Sequence, residues 1–456
     1  MSVIYFVSDS EITTRLFSPV VKKISEIASD VKIKFLDVSN FVAAQNRNEY
    51  IQHKNDLITE NGFIVDVIEP DKETKGDTVN AYLDRLSKAF NDLRPQIIVI
   101  PHEFGWSFYA ARLAASLDIK TYHLQHGFWG PYNFGERTLV TAKRQEGIAA
   151  KIDNPSTLGM IIKEFFLNEG RLFKEYLRKN VNQIKTLSKK ISLGQKDPQR
   201  VLFQSPGTTS IGAKTTKKGL WGPYYKRRMV AAGIKPDSID IVGSVLTDHF
   251  FSVPIKSYEK ICQEYGMDQS KKEFVIYFWD PYERYPYMLT QYDQKKVFVD
   301  VIQILKHYIP QMNVLLLAHP RDSIEEHQRW INHAGLDHVY VGKTNMNHKS
   351  LFTHAKLVIG TLSTALAEAT IFKKPILQLA FLVYDNLTPQ LIEMGAVVPI
   401  LNRLHTSDQI EKILFNKAFV DRVIMNQEQF IEEIFYRCDG KAGERAAMSI
   451  LKAAGV

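Results

Sequence analysis

Short apolar runs alternate along the chain with longer stretches whose apolar positions recur at helical spacing. Val3-Ile-Tyr-Phe-Val7 reads as a buried strand, and after Ser8-Asp-Ser10 the positions Leu16, Val20, Val21, Ile24 and Ile27 line one face of a helix over 13–27. The pattern continues with a strand over 31–36, a helix over 78–93, a strand over 97–101, a helix over 106–117 and a strand over 120–124. Strands separated by helices at this spacing predict a doubly wound parallel sheet. A second series follows, with strands over 273–278, 313–318, 338–341, 356–359 and 375–379 and helices over 296–309, 325–334, 350–355 and 363–372. Between the two series lie a basic amphipathic stretch over 157–195 and strands over 201–204 and 239–242, the last ending in Gly243-Ser244.

The expected fold class is therefore α/β, two Rossmann-like doubly wound domains facing a central cleft. The boundaries are placed at 1–250 for an N-terminal domain and 270–425 for a C-terminal domain. A helical segment over 426–456 is expected to pack back on the first domain. The length of 456 residues, 45% hydrophobic and 24% charged, suits two cores better than one.

A net charge of +8 favours an anionic partner such as a nucleotide, a phosphorylated acceptor or a lipid surface. No motif supports nucleic acid. Cys262 and Cys438 are the only cysteines, and their contexts suggest neither a disulfide nor a thiolate metal site. No apolar stretch approaches a membrane span and Val3–Val7 is too short for an export leader, so a cytoplasmic protein is expected. The stretch over 214–228 and Phe128-Trp-Gly-Pro-Tyr132 interleave basic or polar with aromatic residues. Each is expected to be a solvated face, or a loop that stacks on a glycan or rests on the inner face of an anionic membrane.

Candidate chemistry gathers where predicted strands hand over to helices, the edge at which parallel α/β domains hold anionic ligands. Gly360-Thr-Leu-Ser-Thr-Ala-Leu-Ala-Glu-Ala369 follows one strand. Thr361, Ser363 and Thr364 offer hydroxyls and Glu368 a carboxylate able to accept hydrogen bonds from a diol such as ribose; an ordinary capped connection with an exposed Glu is the alternative. His319-Pro320-Arg321 follows another strand, where an imidazole and a guanidinium could hold a donor phosphate. In the first half, Gln125-His126-Gly127 follows the strand over 120–124. A neutral imidazole at His126 suits a general base, while Gln125 and Gly127 are expected to line the acceptor side. Glu103, at a neighbouring strand end, is the rival base. His333, His338, His348 and His354 show no metal-ligand spacing and are expected at the surface or at helix caps, so no metal site is expected.

The strand-His-Pro-Arg loop, the Gly-Thr-Leu-Ser-Thr-Ala-Leu-Ala-Glu-Ala segment and Lys373-Lys-Pro-Ile resemble the donor-binding half of GT-B transferases that build bacterial surface polysaccharides. The similarity extends to capsule-type Kdo transferases, bacterial sialyltransferases and CDP-glycerol glycerophosphotransferases. Gln125-His126-Gly127 and the strand-Gly243-Ser244 element with Asp248 are similar to N-terminal elements of that superfamily, and Asp439-Gly-Lys-Ala-Gly-Glu-Arg445 to the tail of the glycerophosphotransferases. The resemblance implies a GT-B glycosyltransferase of capsule or lipopolysaccharide biosynthesis. Its nucleotide-sugar donor, with a CMP-linked acidic sugar favoured, would be bound by His319, Arg321, Thr361, Ser363, Thr364, Glu368 and Gly243. Its acceptor would be a glycan or lipid-linked glycan. The nucleotide sugar is a substrate, so no cofactor is implied, and the transfer is expected to be metal-independent. The alternatives are a CDP-glycerol-type polyol-phosphate transferase, a nonhydrolysing UDP-sugar 2-epimerase, and a catalytically dead glycan- or nucleotide-binding protein. The epimerase family opens with a Gly-Thr-Arg turn where this chain has Ser8-Asp-Ser10.

Overall fold

The computed structural model describes residues 2–8, 11–37, 65–67, 78–101, 105–128, 215–280, 293–319, 322–343, 348–361, 363–382 and 389–456. Strands β1 (Val3–Ser8), β2 (Lys32–Asp37), β3 (Val65–Val67), β4 (Ile97–Ile100), β5 (Lys120–Leu124), β6 (Lys217–Leu220) and β7 (Ile239–Ile241) form one sheet in the order β3-β2-β1-β4-β5-β6-β7. Strands β8 (Glu273–Phe278), β9 (Met312–Ala318), β10 (Val339–Lys343), β11 (Leu357–Gly360), β12 (Ile376–Gln378) and β13 (Val398–Pro399) form a second, ordered β10-β9-β8-β11-β12-β13. All of these pairings are parallel. Each sheet therefore reverses its direction of growth once, beside β1 and β4 in the first and beside β8 and β11 in the second. A parallel sheet with helices on both faces is buried on both sides, which is why Ile97-Ile-Val-Ile100 and every residue of β9 are apolar or buried without alternation.

Helices α1 (Glu11–Ile27), α2 (Thr78–Asp92), α3 (Gly105–Ser116) and α4 (Pro223–Ala231) belong to the first sheet. The short α5 (His249–Ser252) and α6 (Tyr258–Tyr265) lead into the second sheet. There α7 (Gln294–Tyr308), α8 (Ile324–His333), α9 (Lys349–His354), α10 (Ala365–Ile371), α11 (Pro389–Glu393), α12 (Thr406–Phe415) and α13 (Lys417–Phe430) follow. The core of that half joins Val275, Phe298, Leu316, Leu357 and Leu377. After a π-helical turn (Ile431–Phe435), α14 (Ala442–Ala454) buries Ala446, Ala447, Ile450 and Leu451 against Ile4, Phe6, Leu16, Val20 and Tyr122 of the first sheet and its α1.

A clasp of polar contacts fixes α14. Asp248 accepts from Ala442 N at 3.1 Å and Gly443 N at 2.7 Å, occupying orphan amides of the helix start. Burial pushes the Asp248 carboxyl above its usual range, while the two amides and Arg445 pull the other way. Arg445 donates from Nε to Val242 O at 2.8 Å and from Nη1 to both carboxylate oxygens of Asp439 at 2.9 Å. Gly243 has φ +90°, and a Cβ there would lie 2.8 Å from the Arg445 guanidinium. The two stretches that resembled separate transferase elements, Gly243 to Asp248 and Asp439 to Arg445, are thus one contact, and the left-handed backbone at its turn favours glycine at 243.

Several sequence expectations are corrected here. The basic and aromatic stretch over 214–228 is not a surface loop in its described part, 215–228. It supplies β6, whose main chain is ladder-bonded between β5 and β7, and both Trp221 and Tyr225 are buried. Lys218 is buried too, its ammonium donating to Thr215 Oγ1 at 2.7 Å. Phe128 is partly exposed, and its ring packs edge-on against Trp221 at 5.2 Å and Phe435 at 5.6 Å. The helical segment expected over 426–456 is broken by Tyr436, held at φ +66° between the π-helical turn and α14. His338, at the entry of β10, is buried rather than on the surface, while His348 is the N-cap residue of α9, as a cap histidine was expected to be, but is itself buried. The expected segments over 157–195 and 201–204, and residues 129–132, lie outside the described residues.

Candidate functional site

In an open parallel sheet the connections on either side of the reversal point leave in opposite directions, and a crevice opens beyond the strand ends. In the second sheet that place is bounded by Asp280, just past β8, and Thr361, just past β11. Thr361 donates its hydroxyl to Asp280 Oδ2 at 2.5 Å, and its carbonyl accepts from Gln378 Nε2 at 2.7 Å. Gln294 in α7 donates to Asp280 O at 3.0 Å. With Thr361 and Gln378 fully buried, the exit of β11 is held from both sides.

Beyond this anchor the chain turns into α10. Ser363 is partly exposed and its Oγ accepts from Ala365 N at 3.3 Å, while Thr364 is exposed and makes no side-chain cap. Both hydroxyls therefore stand at the crevice edge. Glu368, in the first turn of α10, receives His348 Nδ1 at 3.2 Å; its side chain keeps 24% exposure while that of His348 keeps 5%. His319 follows β9, the neighbour of β8, and is partly exposed; its carbonyl accepts from Asp322 N at 2.9 Å. The topology thus brings His319, Asp280, Thr361, Ser363, Thr364 and Glu368 to one carboxyl edge of one sheet. Arg321 lies outside the described residues.

In the first sheet, His126 is partly exposed two residues past β5, which is β4's neighbour at the corresponding edge. Gln125 points inward instead of toward an acceptor. It is fully buried, its Oε1 accepting from Trp221 N at 2.9 Å and its Nε2 donating to Gly127 O at 2.8 Å. The Gln125 carbonyl also takes the Trp221 indole N–H at 2.8 Å. This side chain is therefore a brace that fixes the backbone carrying His126. A Cβ at Gly127 would meet nothing within 4 Å, so its surroundings in the protein do not require glycine. Gly243 belongs to the clasp at the end of β7, with Arg445, Ala442 and Phe435 around it. Glu103 lies outside the described residues.

Two residues of the second edge escaped sequence reasoning. Asp280 terminates a strand just as His319 does, and the same strand-end criterion would have found it. His348 carried no such signal, because its partner Glu368 stands twenty residues away and on another element. Among the described residues no group of three or more His, Cys, Asp or Glu could hold a metal ion, and no helix is long and apolar enough to cross a membrane.

No protein-family model and no curated protein matches the chain. Solved structures do. A UDP-GlcNAc 2-epimerase from Neisseria meningitidis bound to UDP-GlcNAc superposes with a TM-score of 0.62 at 11% identity, covering 99% of this chain and 100% of that one. A glycosyltransferase from Rickettsia africae gives 0.54 at 10% identity, with 99% of each chain covered. An Anabaena protein in complex with UDP and glucose gives 0.50 at 12% identity, again with 99% of each chain covered. These neighbours include enzymes of the GT-B type, and at such identities the likeness speaks for architecture alone. The chain has the GT-B fold, two Rossmann-like parallel-sheet domains, with the C-terminal helix packed on the first.

Proposed function

We propose that this protein is a glycosyltransferase that takes a sugar from a nucleotide-activated donor and passes it to a cell-surface glycan or lipid-linked glycan. The observation that carries this is the second sheet's carboxyl edge, where His319, two outward hydroxyls and a braced carboxylate converge at the reversal of strand order. In this mechanism His319, Arg321, Ser363 and Thr364 take the donor phosphate, spreading the charge that grows as the sugar-phosphate bond breaks. Glu368 takes the ribose diol. His126 accepts the proton of the acceptor hydroxyl as that oxygen bonds the anomeric carbon, and the nucleotide leaves with the bridging oxygen; Glu103 is the rival for this proton. The scheme needs no cofactor and routes no step through a metal. It also needs His126 to share a crevice with Ser363.

The nucleotide base is where the lines of support part. The motif resemblance favours a cytidine donor, such as a CMP-linked acidic sugar or, for polyol-phosphate transfer, CDP-glycerol. Solved neighbours instead hold UDP-GlcNAc, or UDP and glucose. Titration calorimetry with CMP, CDP, UDP and GDP decides between them, and binding of none would leave a catalytically dead fold. A place on the inner face of the membrane in capsule or lipopolysaccharide assembly belongs to the same proposal and is tested by co-sedimentation with anionic vesicles.

A second function, nonhydrolysing 2-epimerisation of a UDP-sugar, is favoured by several epimerases among the end-to-end structural neighbours. The Ser8-Asp-Ser10 opening speaks against it. Deuterium entering C2 of UDP-GlcNAc in heavy water, without an acceptor, would establish epimerisation. Nucleotide release that requires an acceptor would establish transfer.

A further inference from the structure

The His348–Glu368 pair is built with more care than a surface carboxylate needs. The imidazole is 95% withdrawn from solvent, since its side chain keeps 5% exposure, and it is wedged edge-on between Phe278 at 5.3 Å and Phe352 at 5.4 Å. Its Nδ1 lies 3.2 Å from Glu368 Oε2, and its Nε2 is buried with no hydrogen-bond partner among the described residues. An ionised carboxylate only accepts, so Nδ1 carries the proton. The aromatic walls offer Nε2 no partner, so the polar contact of this ring is the one that Nδ1 makes with Glu368. One oxygen of Glu368 is thereby committed to the protein, and the carboxylate is held in one orientation at the crevice edge.

We propose that His348 is the positioning residue that presents Glu368 to the vicinal hydroxyls of the nucleotide's ribose, and so sets the preference of this site for ribonucleotides over their dideoxy counterparts. This deepens the proposed function and rests on Glu368 facing the nucleotide sugar. A carboxylate that must accept two hydroxyls gains from being fixed before the ligand arrives, because ordering it at binding would cost affinity. The phenyl rings prevent the imidazole from turning away, and the pairing partner comes from a different strand connection, so the orientation depends on the folded sheet and not on α10 alone.

The test is calorimetric binding of UDP and CMP beside their 2′,3′-dideoxy forms, using the full chain. In the unaltered protein the ribonucleotide should bind more tightly. His348→Phe keeps the ring and its packing but loses the donor, and should weaken ribonucleotide binding roughly tenfold while leaving dideoxynucleotide binding unchanged. His348→Gln, which can still donate, should recover most of the difference. Combining His348→Phe with Glu368→Gln should be no worse than Glu368→Gln alone, since the histidine acts only through the carboxylate. Equal weakening of both nucleotide forms by His348→Phe, or no change in either, overturns the positioning role while the proposed function stands. If the unaltered protein binds neither form, the proposed function falls and this inference with it.

Discussion

Replacing Gln125 by Met tests whether the backbone that carries His126 is held by a buried brace. Met has nearly the same length and volume, so no cavity opens and overpacking is avoided. What is lost is the acceptor for Trp221 N and the donor to Gly127 O, at 2.9 Å and 2.8 Å. The Trp221 amide is buried, and stranding such a donor costs about 1–3 kcal/mol. Gly127 is partly exposed and water can serve its carbonyl, adding little. The indole bond to the Gln125 carbonyl survives, because it uses main chain. The net loss is about 2 kcal/mol, equivalent to roughly a thirtyfold faster exchange of the Trp221 amide through local opening. It also corresponds to a fall of about 4–8 °C in the melting of the first half. Hydrogen-exchange mass spectrometry of a peptide spanning β6 and Trp221, read beside a thermal melt, measures both. Gln125→Glu should be at least as damaging, since it sets a carboxylate oxygen against the Gly127 carbonyl. A Gln125→Met protein that melts within about 1 °C of the parent with unchanged exchange would refute the brace.

Gly222→Ala should destabilise by about 1–3 kcal/mol or more, because the new methyl would sit 2.6 Å from Ile434 O and 2.8 Å from Glu433 C, backbone atoms that cannot swing aside; urea denaturation would measure it. Asp248→Ala should uncap α14 at a cost of about 1 kcal/mol and expose the 436–441 link to limited proteolysis, an effect absent if the clasp contributes nothing. His338, whose pKa is lowered from 6.5 first by burial and then by Lys306 and Lys271, contributes stability that is present above the unfolded value and lost as pH falls through the lower folded one. Chemical denaturation from pH 7 downward should therefore show a loss that His338→Phe reduces; parallel profiles would contradict this. His126→Ala should slow acceptor-dependent turnover by about 10²–10⁴-fold with nucleotide affinity nearly intact, and unchanged turnover would remove it from the mechanism.

The strands that were legible in advance share one property. β1, β4, β8 and β9 are buried on both faces, so their apolar runs are continuous and their positions follow from composition alone. β6 was hidden because Lys217-Lys-Gly-Leu220 has almost no apolar signature. It is a strand because β5 and β7 bond its main chain on either side and Tyr122 leaves room only for glycine at 219. The break at Tyr436 was equally hidden, since nothing in the local periodicity marks a left-handed tyrosine.

By itself the chain determined an α/β protein of two doubly wound halves and the strand ends at which His126, His319, Ser363 and Glu368 stand. Those assignments depend on local periodicity and on the direction of each strand. Only the tertiary structure decided that Gln125 braces Trp221 from 96 positions away, that Asp248 seats the last helix, and that His348 stands behind Glu368. Each of these is a buried polar group whose partner comes from another element, and such a partner is chosen by strand order and packing, which no local pattern encodes.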